Sequence, residues 1–182
     1  MNFQYETRRL GLTLLKPSDI NARQVLEFYN KNRFAFERYE SVRPVDFYTE
    51  DYQKAMLEFE YNQAIHSKSL RFWVYLKCDP ARMIGTISFF NVIRPVYNRC
   101  ETGYKFDQRY WNHGYAKEAM TLGISLMFEE AGLHRIEAYV MEENTASIRL
   151  LESLGFQYEG TCRQYARIRG RWEDHLLFSH IR

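Results

Sequence analysis

Apolar side chains at Ala116, Ala119, Met120, Gly123, Ile124, Met127, Phe128 and Ala131 follow the three-and-four spacing of a helix with one face committed to a core. Weaker patterns surround this stripe. Leu12 to Leu15 reads as a strand stopped by Pro17, and Ser18-Asp19 is a start signal for a helix from Ala22 to Tyr29. A second helix is expected after Thr49, running to about Ile65, with Glu50 and Asp51 suited to its first turn. Strands are predicted over Arg71 to Lys77 and Met83 to Val92 with a turn at Asp79-Pro80 between them, and over Cys100 to Phe106 before the long helix. Arg135 to Met141 is the next strand, a helix opening at Asn144 ends at Gly155, and two closing strands flank a hairpin turn at Gly170. Strands and helices interleave without strict alternation. The expected fold is therefore α/β of the α+β kind, a mixed twisted sheet with helices on both faces, and residues 1–182 read as one domain without repeats or linkers.

The segment Tyr110-Trp111-Asn112-His113-Gly114-Tyr115-Ala116 opens the long helix directly after a strand. A small-residue turn at a helix start exposes main-chain N–H groups to an anion, Gly114 permits close approach, and the helix dipole adds attraction. A phosphorylated cofactor is the expected ligand. The chain has neither a G-x-x-x-x-G-K-[ST] loop nor a G-x-G-x-x-G after its first strand. The turn instead resembles the Q/R-x-x-G-x-G/A signature of the GNAT N-acetyltransferase superfamily, with Trp111 where that signature usually carries Gln or Arg. Asn144-Thr145-Ala146-Ser147 running into Leu150-Leu151-Glu152-Ser153-Leu154-Gly155-Phe156 resembles the second motif of that family, in the right order and spacing. Leu133-His134-Arg135-Ile136, the Asn-x-x-Ser start and the tail from Gly160 through Arg171-Trp172-Glu173-Asp174-His175 resemble the subgroup of ribosomal-protein alanine N-acetyltransferases.

That resemblance implies the GNAT fold and acetyl-CoA as cosubstrate. It implies that main-chain groups of Tyr104, Lys105 and Phe106 meet the pantetheine amides as an added strand would. Residues Asn112, His113, Gly114, Tyr115, Ala116 and Lys117 would offer N–H groups to the pyrophosphate, with Trp111 packed beneath the turn and the His113 side chain facing phosphate or solvent. Many GNAT enzymes carry a tyrosine acid in the second motif where this chain has Leu151. The resembling subgroup uses the motif serine, so Ser147 is the candidate hydrogen-bond donor to the leaving sulfur, with Asn144 holding the pantetheine arm or a water. One donor suffices, because a thiol of pKa about 8.5 leaves without strong acid help. A terminal amine, with a pKa of about 8, likewise needs only a modest base. Glu101 is the candidate; strand alternation puts Glu101, Gly103 and Lys105 on one face. Asn144 and Ser147 also suit an ordinary helix start, and Glu101 an ordinary surface carboxylate.

The chain has 25 basic and 23 acidic residues, a balance too even to mark a nucleic-acid binder. Cys78, Cys100 and Cys162 form no C-x-x-C, no run approaches the length of a membrane span, and no apolar leader is present, so a cytoplasmic compartment is expected. No metal-ligand spacing is found: the chain lacks H-E-x-x-H. No G-x-S-x-G elbow appears, which favours direct transfer over an acyl-enzyme. The segment from Phe34 to Tyr48, with Glu37, Glu40, Arg43 and Asp46, forms by resemblance one wall of the acceptor cleft. The leading expectation is acetylation of a protein N-terminal amine, such as that of a ribosomal protein, by a monomer or homodimer. A small amine such as a polyamine, aminoglycoside or amino acid is the alternative acceptor. A noncatalytic module that senses acetyl-CoA, or contacts RNA through Arg163, Arg167, Arg169 and Arg171, is the reading from another class.

Overall fold

Among the described residues, three of the four α-helices begin on a side-chain cap. In the computed structural model, which describes residues 2–182, Ser18 Oγ accepts from the Asn21 amide at 3.1 Å and opens α1 (Asp19–Glu37). Thr49 Oγ1 accepts from the Tyr52 amide at 3.2 Å and opens α2 (Glu50–Ile65). Helix α4 (Thr145–Ser153) starts in the same way, on Asn144 Oδ1 accepting from the Ser147 amide at 3.2 Å. Helix α3 (Tyr115–Glu129) differs: its cap is Gly114, in the left-handed region at φ 76°, and no side chain closes its first turn. Helix α1 is much longer than the segment from Ala22 to Tyr29 that its start signal suggested. Its buried stripe of Ala22, Val25, Phe28, Tyr29, Asn32 and Phe36 keeps helical spacing, and no glycine or proline interrupts the chain before Pro44. Residues 34–37 are thus the last turn of a helix and not part of a loop.

The strands are β1 (Gln4–Glu6), β2 (Leu10–Thr13), β3 (Leu70–Leu76), β4 (Asp79–Ile93), β5 (Arg99–Phe106), β6 (Arg135–Val140), β7 (Gln157–Ile168) and β8 (Arg171–Ile181). They form one sheet in the order β1-β2-β3-β4-β5-β6-β8-β7, antiparallel except for the β5–β6 pair. Strand β1 had no sequence signal, and the strand expected over Leu12 to Leu15 lies two residues earlier. The β3–β4 turn falls at Lys77-Cys78 and not at Asp79-Pro80, because Leu76 pairs with Asp79. Pro80 is tolerated inside β4 because the ladder there is interrupted by register shifts. Arg169 and Gly170 both have positive φ, as a two-residue hairpin turn requires. Arg167 lies opposite Trp172, Ile168 lies opposite Arg171, and Arg169 sits in the turn, so these arginines do not line one strand.

Neighbouring residues of β3 show the two layers. Trp73 packs with Val25, Phe28, Tyr29, Phe36 and Leu57 of α1 and α2. Val74 belongs to the opposite layer with Met120 and Met127 of α3 and Leu151 of α4. Helix α3 rides close to the sheet at Gly123, where a Cβ would lie 2.7 Å from Ile87 Cδ1 and 2.8 Å from the Phe89 ring. Among the described residues, no helix is long and apolar enough to cross a membrane.

Candidate active site

The sheet opens where its one parallel pair stops. Strands β5 and β6 pair only at Arg99 with Arg135, Cys100 with Ile136 and Glu101 with Glu137; β5 then continues to Phe106 and β6 to Val140 without pairing each other. The other edge of β5 stays bonded to β4. The Asp107 amide donates to Ile84 O at 2.9 Å, which makes that couple a hydrogen-bonded pair of the antiparallel ladder. Hydrogen-bonded pairs alternate, so Lys105 is bonded to Thr86 and Gly103 to Ser88, while the main-chain groups of Thr102, Tyr104 and Phe106 turn to the gap. Lys105 therefore does not offer its main chain to the gap beside Tyr104 and Phe106, contrary to the sequence expectation. The Phe106 carbonyl is partly engaged, accepting from Trp111 Nε1 at 2.7 Å. Through that bond Trp111 ties the end of β5 to the turn, while its ring stays exposed and not packed beneath it.

Beyond Trp111 the chain leaves a row of amides open. Among the described residues, the N–H groups of Asn112, His113, Gly114, Tyr115, Ala116 and Lys117 donate to no protein acceptor; the next amide, of Glu118, donates to Gly114 O at 3.0 Å. Asn112 and Gly114 both have positive φ and curl the turn. Arg9 stands beside it, a residue without any signal in the sequence. Its Nη1 donates to His113 O at 3.0 Å, its Nε pairs with Glu118 Oε2 at 2.6 Å, and its guanidinium lies 4.4 Å from the Tyr115 ring centroid. Glu118 also accepts from Thr7 Oγ1 at 2.5 Å, locking the β1–β2 turn against α3. The His113 ring is exposed and stacks on Tyr115 with its Nδ1 2.7 Å from Trp111 O. An uncapped helix start with a neighbouring cation suits a diphosphate.

Asn144 and Ser147 lie across the gap from Tyr104. The Tyr104 hydroxyl is 2.6 Å from Ser147 Oγ and also donates to Ser147 O at 3.2 Å. Burial pushes the Tyr104 phenol up to about 12, so it keeps its proton at neutral pH. The sequence resemblance implies a role only for the main chain of Tyr104; the hydroxyl contact is a finding of the structure. Alternation that puts Glu101, Gly103 and Lys105 on one face sends Tyr104 to the other, which was the available signal for its partner in the second motif.

The opposite face of β5 carries Glu101, half-buried, with Asn91 Nδ2 donating to its Oε1 at 3.1 Å. Its register partner Glu137 is buried between Arg99 and Arg135, with Arg135 Nε 2.6 Å from Oε1 and the Tyr139 hydroxyl donating to Oε2 at 3.2 Å. Glu137 is paired with two arginines, whereas Glu101 has no ion-pair partner among the described residues. Tyr139 stacks on Tyr165 at 4.3 Å beside them. Glu137, Tyr139 and Tyr165 were not singled out from the sequence. On the same face Lys105 Nζ reaches Glu40 Oε1 at 2.6 Å, which brings the segment after α1 onto β5. Among the described residues no three His, Cys, Asp or Glu side chains are grouped to hold a metal ion.

The acetyltransferase (GNAT) domain family matches residues 9–157 of the chain. A probable N-acetyltransferase of Bacillus subtilis, YjcK, is 35% identical over 167 residues, 91% of each chain. The [ribosomal protein uS5]-alanine N-acetyltransferase of Escherichia coli is 32% identical over 171 residues, 94% of this chain and 87% of that one. The crystal structure of a ribosomal-protein-S5-alanine acetyltransferase from Vibrio fischeri superposes with a TM-score of 0.92 at 30% identity, over 99% of this chain and 97% of that one.

Proposed function

The chain belongs to the GNAT acetyltransferase family and is an acetyl-CoA-dependent N-acetyltransferase, and on that premise we propose that its acceptor is the α-amine of a protein N-terminus. The observation that carries the site assignment is the unpaired edge of β5 leading into the uncapped start of α3. A ligand with two amide groups and a diphosphate is complementary to that run, first to a strand edge and then to open helix amides. Acetyl-CoA supplies an acetyl thioester there.

In this proposal the amides of residues 112–117 and the Arg9 guanidinium hold the diphosphate, and the gap-facing main chain of Thr102 and Tyr104 aligns the pantetheine arm. Asn144 orders the start of α4 and so sets the position of Ser147. The Tyr104 and Ser147 hydroxyls share one hydrogen bond in which either can donate; with acetyl-CoA bound, the phenol is proposed to donate to Ser147 Oγ, so that the serine proton faces the departing sulfur. Glu101, on the other face, receives the ammonium proton through water. An α-amine titrates near pH 8, so a carboxylate without a cation partner is base enough.

A protein N-terminus is favoured over a polyamine by the wall near Glu37 and Glu40. Glu40 is bound by Lys105 and Arg43, and Glu37 by Arg33 and the Tyr48 hydroxyl, so neither carboxylate is available to a polycation. The two uS5-alanine relatives add weight to an N-terminal acceptor. The proposed compartment is the cytoplasm. The test is thiol release from acetyl-CoA with amidated Ala- and Ser-initiated peptides, N-blocked lysine peptides, spermidine and an aminoglycoside. Turnover with the free-terminus peptides alone is expected; turnover with spermidine or the aminoglycoside alone overturns the proposed acceptor.

A further inference from the structure

A second polar site lies on the acceptor face of β5, away from the thioester machinery. Arg43, Arg71 and Lys105 meet in a cavity of about 90 Å³ under the segment that joins α1 to α2, with the rings of Tyr29 and Phe47 as its apolar walls. That is room for a few water-sized groups. Each of the three cations keeps about a fifth of its side chain accessible, so the cavity communicates with solvent. Glu40 and Glu60 pair with these three cations, and Glu37, which also lies near Arg43, is matched by Arg33, leaving a surplus positive charge. One donor is unspent: Arg43 Nε is buried without a hydrogen-bond partner, whereas Arg71 Nε is paired with Glu60 Oε1 at 2.7 Å. A buried guanidinium donor left open in a polar, cationic cavity points to an anionic acceptor atom.

The position of the cavity relates it to the transfer site. Glu101, Gly103 and Lys105 share one face of β5, so this face presents a carboxylate, a bare stretch of main chain at Gly103, and then an ammonium group. From Glu101 to Lys105 is about 13 Å at the rise of a strand. An ammonium group near Glu101 and an anion near Lys105 would match both ends, and a peptide spans that distance in about four extended residues.

Resting on the transferase reading for its purpose, we propose that this cavity is a carboxylate subsite that selects acceptors bearing an Asp or Glu side chain within the first few residues after the reacting amine. The carboxylate would take the open Nε donor of Arg43, beside the Lys105 ammonium, while the amine stands near Glu101. The carboxylate of a free amino acid sits too close to its own amine to span the two ends.

The test uses the full chain saturated with CoA, and calorimetric titration with amidated pentapeptides that begin with Ala and carry Glu at position two, three or four, each against its Gln counterpart. At least one Glu peptide is expected to bind about tenfold tighter than its Gln twin, the scale of one charge-assisted hydrogen bond. That ratio is expected to fall to near one in Arg43→Gln and in Lys105→Gln, each checked for an intact thermal transition; either variant suffices if the other does not fold. Equal affinities for every Glu and Gln pair in the parent protein, or a ratio unchanged in a folded variant, overturn the proposal. Sodium acetate added as competitor separates the sources of the anion: erosion of the Glu preference supports a shared site, and an unaltered preference at saturating acetate counts against the cavity as its origin. Thiol release with the same peptides is read separately. Its absence alongside Glu-selective binding would remove the N-terminal acceptor reading and keep the subsite; its presence without Glu selectivity would do the reverse.

Discussion

Removing the Ser147 hydroxyl tests whether the Tyr104–Ser147 pair acts as a unit. Ser147 Oγ stands 2.6 Å from the Tyr104 hydroxyl, and the phenol, pushed up to about 12, is protonated throughout the working range. A hydrogen bond to a charged leaving group is worth about 1.5–3 kcal/mol, so Ser147→Ala should lower kcat by about ten- to a hundredfold. Tyr104→Phe keeps the ring and removes only the bond that orients the serine, a loss of about 1 kcal/mol or fivefold. Since Tyr104 is argued to act through Ser147, Tyr104→Phe should cost nothing further once Ser147→Ala has been made, giving a coupling of about 1 kcal/mol in the double-mutant cycle. The assay is thiol release at saturating acetyl-CoA, with the KM for acetyl-CoA expected to stay within about twofold because neither group is asked to hold the diphosphate. Equal losses from Tyr104→Phe in both backgrounds would refute the relay. A larger loss from Tyr104→Phe than from Ser147→Ala would make the phenol itself the proton donor.

Gly114→Val should weaken CoA binding by at least about tenfold in calorimetry while leaving a cooperative thermal transition. Its Cβ would meet only Arg9 Nη2, at 3.5 Å, so the penalty comes from the φ of 76°, which a β-branched residue resists. Gly123→Leu should destabilise the fold by about 3 kcal/mol, or about 10 °C in Tm, because its first carbon already collides with Ile87 and Phe89; an unchanged Tm would contradict the close packing of α3 on the sheet. Glu159 is held down to about 2, first by its hydrogen bond from Arg135 and then by that from Ser179. A carboxylate depressed in the folded state stabilises above its unfolded pKa and loses that contribution as pH falls, so the Tm deficit of E159Q should be complete near neutrality and shrink from about pH 5 toward pH 2. A deficit independent of pH would assign the effect to packing.

The parts of this molecule that local chemistry controls were legible in its sequence. The α3 stripe, the glycine that opens it, the caps at Ser18, Thr49 and Asn144, and the turn at Gly170 each depend on a few adjacent residues. What escaped depends on contacts far apart in the chain. Arg9 reaches the α3 turn from more than a hundred residues away, and Tyr104 finds Ser147 only after β5 and α4 have packed on one face. Periodicity gave the face of Lys105 but not which strand its main chain serves; that follows from the β4 ladder, whose phase is set at Asp107 and Ile84. The pairing of Glu40 escaped because its partner Lys105 lies in a distant strand. Helix α1 outran its expected end because its later turns carry a polar residue, Asn32, on the buried face, bonded back to Phe28 O at 2.9 Å.

The central claim is that the open amides at the start of α3 and the free edge of β5 together receive the coenzyme. Amide chemical shifts followed through a titration with CoA address both at once. Saturable shifts at residues 112–117 and at Tyr104, with Lys105 bonded to β4 and moving least along that stretch, are the predicted result. Saturable shifts confined to other surfaces, with residues 112–117 unmoved, would contradict it.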